Sequence, residues 1–242
     1  MFFSGPIGIT GKHNSKNDIV WSKSKEDAGE LLDHAYNKFE KNVMVWGGVH
    51  YTGLFPPNGP IFMHELKQRV IDAGVELGQR GGINGAAYAY MITEEVLPLV
   101  RQLYGGREVW QDDNARIHRG EAALEACREF AQRIPVHIQA PKMADVWPVE
   151  NLWAILNDRV KKREPQTSDD RCLYIVEEWI KIDQDKALCR RLMRSIPKRL
   201  DAVIKVEGRQ IRREDYKDPM DANNNNDNIN NNAVVPAAPQ PQ

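Results

Sequence analysis

At 242 residues, with 41% hydrophobic and 28% charged residues, the chain is long enough for one globular core and a small satellite. Its net charge of -1 excludes a globally basic nucleic-acid binder, so any basic surface has to be local. No run approaches the roughly 20 apolar residues of a membrane span, and Met1-Phe2-Phe3-Ser4-Gly5-Pro6 lacks the basic start and apolar core of a signal peptide.

The first 20 residues are polar and glycine-rich, and Ile19-Val20-Trp21 then reads as a short strand. Val43-Met44-Val45-Trp46-Gly47-Gly48-Val49 is a buried strand by its β-branched and aromatic content, and its glycine pair permits close approach or a bulge. The turn cluster Pro56-Pro57-Asn58-Gly59-Pro60 makes residues 43–64 a hairpin or meander. Tyr88, Met91, Ile92, Val96, Leu99, Val100 and Leu103 form a helical stripe over 86–104, stopped by Gly105-Gly106.

A short strand at 108–111 runs into Asp112-Asp113-Asn114. A helix over about 119–132, a strand at 135–138 and a loop to Trp147 follow. Helices are expected over 149–163, 169–182 and 184–195, with a separate basic helix at 198–206 after Pro197. The pattern is α/β with a mixed sheet. The ordered domain is expected to cover 1–213. Residues 214–242, asparagine-rich and then Pro-Ala-Gln-rich, cannot bury a core and read as a disordered tail. Cys127, Cys172 and Cys189 lack metal-ligand spacing, and no Asn-x-Ser/Thr sequon occurs, so they read as buried or semi-buried thiols in a reducing compartment.

Two runs carry chemistry. Trp110-Gln111-Asp112-Asp113-Asn114-Ala115-Arg116-Ile117-His118 puts acids at the end of a strand. Trp147-Pro148-Val149-Glu150-Asn151-Leu152-Trp153 puts a carboxylate in the first turn of a helix entered through a proline. The 36 residues between Asp113 and Glu150 leave room for a helix, a strand and a return, so both carboxylates can reach one site for a hard cation. Asn114 and His118, within a turn of Asp113, are placed to orient a carboxylate, a metal-bound water or a phosphate. Taken singly, each has a plainer reading. Asp-Asp-Asn is a turn or cap with Asp112 a capping or solvated neighbour, Glu150 complements a helix dipole, and His118 packs.

Taken in order, the runs resemble the catalytic domain of the mariner superfamily of DDE transposases. The resemblance is carried by Val43 to Val49 with Gly53, Asn84-Gly85 and Tyr88, Trp110 to Ala115 with His118, and Asp145, Pro148 and Glu150-Asn151-Leu152-Trp153, and it covers about residues 13 to 212. It implies a ribonuclease-H-like fold, Mg²⁺ or Mn²⁺ and no small-molecule cofactor. It also implies DNA cleavage with strand transfer, DNA as partner, a homodimer and a nuclear location. Asp113 is then the second catalytic acid and Glu150 the third, both metal ligands.

The departures from the family shape the expectation. Where the family has its first catalytic acid, in a Phe-Ser/Thr-Asp-Glu run, this chain reads Phe3-Ser4-Gly5-Pro6. Asp18 is the nearest acid, a strand away. Gly5-Pro6 also costs a ladder hydrogen bond, so the opening strand is expected at a sheet edge or incomplete. The helix-turn-helix domains that read transposon ends in the family are not in this sequence. The expectation is therefore a truncated or decayed copy, or one whose start lies upstream. A basic stretch containing Arg190, Arg191, Arg194, Lys198 and Arg199 reads as a solvated helix face or, in the family context, as a phosphate-contact strip. Three functions follow: a nucleic-acid-binding domain with cleavage weakened or lost; an active endonuclease whose start lies outside this sequence; or a non-catalytic interaction protein or relic.

Overall fold

The computed structural model describes residues 2–9, 42–113, 115–135, 145–212 and 215. The expected strand at Ile19–Trp21, Asp18, Asn114, residues 136–138 of the strand expected at 135–138, and nearly all of the 214–242 tail lie outside the described residues. By compactness the chain divides into residues 1–196 and 197–242, where the sequence reading drew its boundary at 213.

The strands are β1 (Phe2–Ile9), β2 (Val43–His50), β3 (Gly53–Phe55), β4 (Ile61–Phe62), β5 (Val109–Asp112) and β6 (Gln132–Arg133). They form one mixed sheet in the order β3-β2-β1-β5-β6, with β4 also on β2. Residues 43–62 are the expected meander, since β3 and β4 both pair antiparallel with β2. β1 runs antiparallel to β2 and parallel to β5, and β5 runs parallel to β6.

β1 corrects an expectation. It forms, and it lies inside the sheet rather than at an edge. Its parallel pairing with β5 covers only Phe2 to Ser4. Among the described residues no β5 partner is paired with β1 from Gly5 onward, and proline is tolerated where no ladder bond is lost.

Helices cover both faces: α1 (Met63–Asp72), α2 (Gly85–Met91), α3 (Leu97–Tyr104), α4 (Glu121–Ala126), α5 (Pro148–Lys161), α6 (Ser168–Gln184) and α7 (Lys186–Lys205). α1 was missed in the sequence, although Met63, Leu66 and Val70 are spaced for one buried helical face. α2 and α3 continue through a π-turn at Ile92–Val96, next to Pro98, whose ring cannot donate into a regular ladder. α4 is shorter than the expected 119–132 helix. The chain leaves it through a tight turn at Cys127–Glu129 so that Phe130 can stack on Trp110, with centroids 4.5 Å apart, and β6 begins at Gln132. α7 is one element with Pro197 inside it, not a helix, a break and a second helix. Among the described residues, no helix is long and apolar enough to cross a membrane.

Strand alternation sends alternate β2 residues to two cores. Trp46 joins Phe55, Tyr88, Met91, Trp110 and Phe130 on one face. Val43, Val45 and Val49 join Ile9, Leu152, Trp153, Leu156 and Trp179 on the other. Gly47 lies on the second face, where a Cβ would run into the Trp179 ring, so the glycine lets α6 approach the sheet. Trp179 is fixed there by its Nε1–H donating to the Pro56 carbonyl at 2.7 Å. Cys127 and Cys189 are buried free thiols and Cys172 is half-buried.

Candidate functional site

The site is built where β1 and β5 run parallel. Ser4 pairs with Asp112 at the last step of the β1–β5 register, so Gly5 follows directly on β1 and Asp113 follows directly after the end of β5. Strand alternation puts position 5 on the same face as Ile7 and Ile9, the face that α5 covers. The helix α5 packs on β1 and carries Glu150 in its first turn. Pro148 supplies its first residue with a preset φ, and Val149, Leu152 and Trp153 seat it on the sheet.

Glu150 lies within the electrostatic reach of Asp113. Burial raises the Glu150 carboxyl above its ordinary range, and the negative charge of Asp113 raises it further. The sequence expectation that the two acids share a site is thus met by one electrostatic effect, that of the Asp113 charge on Glu150.

His118 is the third member of the group. Its ring is fully buried, and Nδ1 lies 2.6 Å from Asp113 Oδ1 and 3.1 Å from the Asp113 carbonyl. Both partners are acceptors, so Nδ1 carries the hydrogen and donates. The Ala115 N–H donates to the same Oδ1 at 3.1 Å, closing a turn around the carboxylate. Burial pulls the imidazole pKa down, but the Asp113 hydrogen bond and the charges of Asp112 and Asp113 outweigh it, and the pKa is raised. Asn114 lies outside the described residues.

Asp112 is neither a cap nor solvated, as the sequence reading had it. Two residues after Trp110, it points to the same face and is buried. Its Oδ1 accepts from the Tyr88 hydroxyl at 2.7 Å and from Trp110 Nε1–H at 2.8 Å, while Oδ2 accepts from Arg133 at 2.8 Å. Burial alone would raise this carboxyl. The charges of His118 and Arg133, with the Tyr88 and Trp110 hydrogen bonds, overcome that and hold it low. Tyr88 also lies against the His118 ring, with centroids 4.2 Å apart. Asp112, Tyr88 and Arg133 thus form a buried brace behind Asp113. The i,i+2 spacing of Trp110 and Asp112 was the signal for it in the sequence.

Among the described residues the donor set does not fit a two-ion site. One oxygen of Asp113 is already occupied by His118 and the Ala115 N–H, Glu150 supplies one more carboxylate, and Gly5 supplies none. Among the described residues, no cluster of three or more His, Cys, Asp or Glu is placed to hold a metal ion.

The expected basic strip divides. Arg190, Arg191 and Arg194 are exposed on α7 and belong to the first compact unit. Lys198 and Arg199 belong to the second. Lys198 is exposed, whereas Arg199 is only 4% exposed and has no surface to offer a phosphate.

No protein-family model matches the chain, and no curated protein matches its sequence. Solved structures do match. The fold is similar to that in the Mos1 mariner paired-end complex with Mn, with TM-score 0.59 and 14% identity over 87% of this chain and 56% of that one. It is similar to the Mos1 transposase paired-end complex with left transposon end, with TM-score 0.60, 14% identity and the same coverage. It is also similar to the Mos1 transposase catalytic domain with Raltegravir and Mg, with TM-score 0.58 and 12% identity over 87% of this chain and 85% of that one. The chain spans little more than half the length of the paired-end-complex transposases.

Proposed function

From a fold shared with the mariner transposase catalytic domain, we propose that this chain is a transposase-derived, nuclease-like domain that binds DNA and whose metal-dependent cleavage and strand transfer are weakened or lost. The observation that carries the reading is the β1–β5 register, which ends at Ser4 and Asp112 so that Gly5 and Asp113 come next on each segment, with Glu150 feeling the Asp113 charge. A glycine there supplies no carboxylate. Losing one of three charged ligands in such a site removes several kcal/mol of transition-state stabilisation, on the order of a 10²- to 10³-fold or larger rate loss. Asp113 and Glu150 are the remaining catalytic-type acids and metal ligands, and His118 orients Asp113. The solved neighbours include complexes with a transposon end and with Mn or Mg, which supports DNA as partner and a divalent ion as the ancestral cofactor. A homodimer and a nuclear location belong to the same reading.

The test compares wild type with Gly5→Asp, each with and without Asp113→Ala. The readouts are duplex-DNA binding by anisotropy, Mg²⁺ or Mn²⁺ binding by calorimetry, and plasmid nicking. We expect salt-sensitive DNA binding by the wild type without nicking, and metal binding that appears in Gly5→Asp and disappears when Asp113 is removed. Nicking by the wild type that depends on Asp113 and Glu150 would establish an active endonuclease instead. Absence of DNA binding would leave an interaction protein.

A further inference from the structure

Away from the acidic pair, at the turn between β2 and β3, Tyr51 stands 41% exposed with two guanidinium groups around its ring. The Cζ of Arg190 lies 5.9 Å from the ring centroid and that of Arg194 5.5 Å, and Arg194 also donates to the Tyr51 hydroxyl at 2.6 Å. The spacing explains the arrangement. Leu188 and Leu192 bury one side of α7, so Arg190 and Arg194, one helical turn apart, share the outer side above Tyr51.

The neighbouring charges are accounted for. Asp183 is taken by the Leu54 N–H at 2.7 Å and by Lys186 at 3.1 Å. Among the described residues, no carboxylate lies within ion-pair distance of Arg190, Arg191 or Arg194. Two like charges are held close together on an aromatic face, with no carboxylate among the described residues paired to them. That arrangement favours an anion with several acceptor oxygens, and guanidinium forks match phosphate geometry.

The strand register locates the patch. Ser4 pairs with Asp112 on one side and with Gly48 on the other, Gly5 pairs with Gly47, and Tyr51 follows directly after the end of β2, four residues beyond Gly47. At about 3.3 Å per residue and 4.8 Å per strand, Tyr51 is ~13 Å along the strands and ~10 Å across them from Asp113, at the sheet end from which β5 enters. This is far too distant for any part in chemistry at Asp113 and Glu150. It corresponds to roughly five steps of a nucleic-acid duplex at 3.4 Å each.

We propose that Tyr51, Arg190 and Arg194 form a phosphate clamp that holds the backbone of bound DNA about half a helical turn from the acidic pair. The inference rests on the DNA-binding reading above and adds to it a site, a residue and a register. Its contacts are to backbone and carry no sequence preference.

The test measures duplex-DNA affinity against salt for wild type, Arg190→Gln/Arg194→Gln and Tyr51→Ala, on a 25-base-pair duplex, with thermal midpoints as a check on folding. Each phosphate contact contributes about 0.9 to the slope of log K against log salt. The double Gln variant is expected to lower that slope by about 1.8 and to weaken binding at least tenfold at low salt. Tyr51→Ala keeps both charges but releases their anchor, and is expected to weaken binding several-fold with little change in slope. A wild type with no salt-dependent DNA binding would sink the underlying reading. A wild type that binds, with the same slope in the double Gln variant, would overturn the clamp and leave that reading standing.

Discussion

His118 and Asp113 hold each other through two contacts: Nδ1 of the buried imidazole faces both the side-chain Oδ1, at 2.6 Å, and the main-chain carbonyl, at 3.1 Å, of the same residue. A single ring nitrogen therefore fixes the rotamer of the carboxylate and the turn that carries it. Replacing His118 by Ala removes the ring that lies against Tyr88 and leaves the carboxylate of Asp113 with the Ala115 N–H but without its side-chain donor. We expect a loss of about 2–4 kcal/mol in unfolding free energy, measured by urea denaturation. Unchanged stability would mean that the buried pair does not hold the turn.

Tyr88→Phe is a narrower probe of the brace. It keeps the ring against His118 and deletes only the hydroxyl that donates to Asp112. A hydrogen bond to a buried charge is worth about 1.5–3 kcal/mol, and that is the expected destabilisation. Because Trp110 and Arg133 still donate to Asp112, the carboxylate remains ionised and the fold survives. A double-mutant cycle with Arg133→Met should show coupling above ~0.5 kcal/mol.

Glu150→Gln is expected to act in the opposite direction. Burial and the charge of Asp113 raise the Glu150 carboxyl, so its ionised form is disfavoured in the folded state relative to the unfolded chain. A neutral isostere relieves that, by under ~1 kcal/mol because the site is only half-buried. Scanning calorimetry at pH 7 should show a small rise in Tm, and a fall would remove the electrostatic case for pairing Glu150 with Asp113.

Gly47→Ala tests the packing that holds α6 on the sheet. A methyl group there meets the Trp179 ring, which is itself bonded to Pro56, so something must shift. Overpacking of this kind costs about 1–3 kcal/mol. Reversing it with the smaller ring of Trp179→Phe in the same chain should recover part of the loss.

Two histidines give pH dependences of opposite sign. Burial pushes His50 down to about 4, against the Leu54 carbonyl at 3.3 Å. The unfolded chain then takes up a proton near pH 6.5 that the folded chain refuses until about 4. Stability from His50 is complete above pH 6.5 and is lost as pH falls through that window, by up to ~3 kcal/mol. His118 has its pKa raised, so its contribution is complete below 6.5 and is lost as pH rises through the folded value. Denaturation curves of His50→Gln should flatten between pH 6.5 and 4. An unchanged profile would mean that His50 titrates normally.

Much of the site was legible in the order of residues. β2, the helical stripe of α2 and α3, and the proline-entered start of α5 are periodic signals, and a period of 2 or 3.6 is a local property. Asp113 at a strand end and Glu150 in a first helical turn could be marked for the same reason. Asp112 misled because a carboxylate after a strand normally caps or faces water. Only the alternation from Trp110 turns it inward, and only Tyr88 and Arg133, 24 and 21 residues away, make its burial tolerable. Arg199 misled in the same way, since a basic helix face says nothing of what covers it.

By itself the sequence determined the chemistry available: two acids, a histidine, a glycine where a third acid could stand, and an exposed run of arginines. The tertiary structure decided which of these meet. Register between β1 and β5 set Ser4 beside Asp112, and that pairing depends on hydrogen bonds between segments more than 100 residues apart. It also carried Arg190 and Arg194 to Tyr51, across more than 130 residues and away from the acids. Local pattern cannot encode such distances. They follow from which faces bury against which, and the burial of two cores on opposite sides of one sheet settled it.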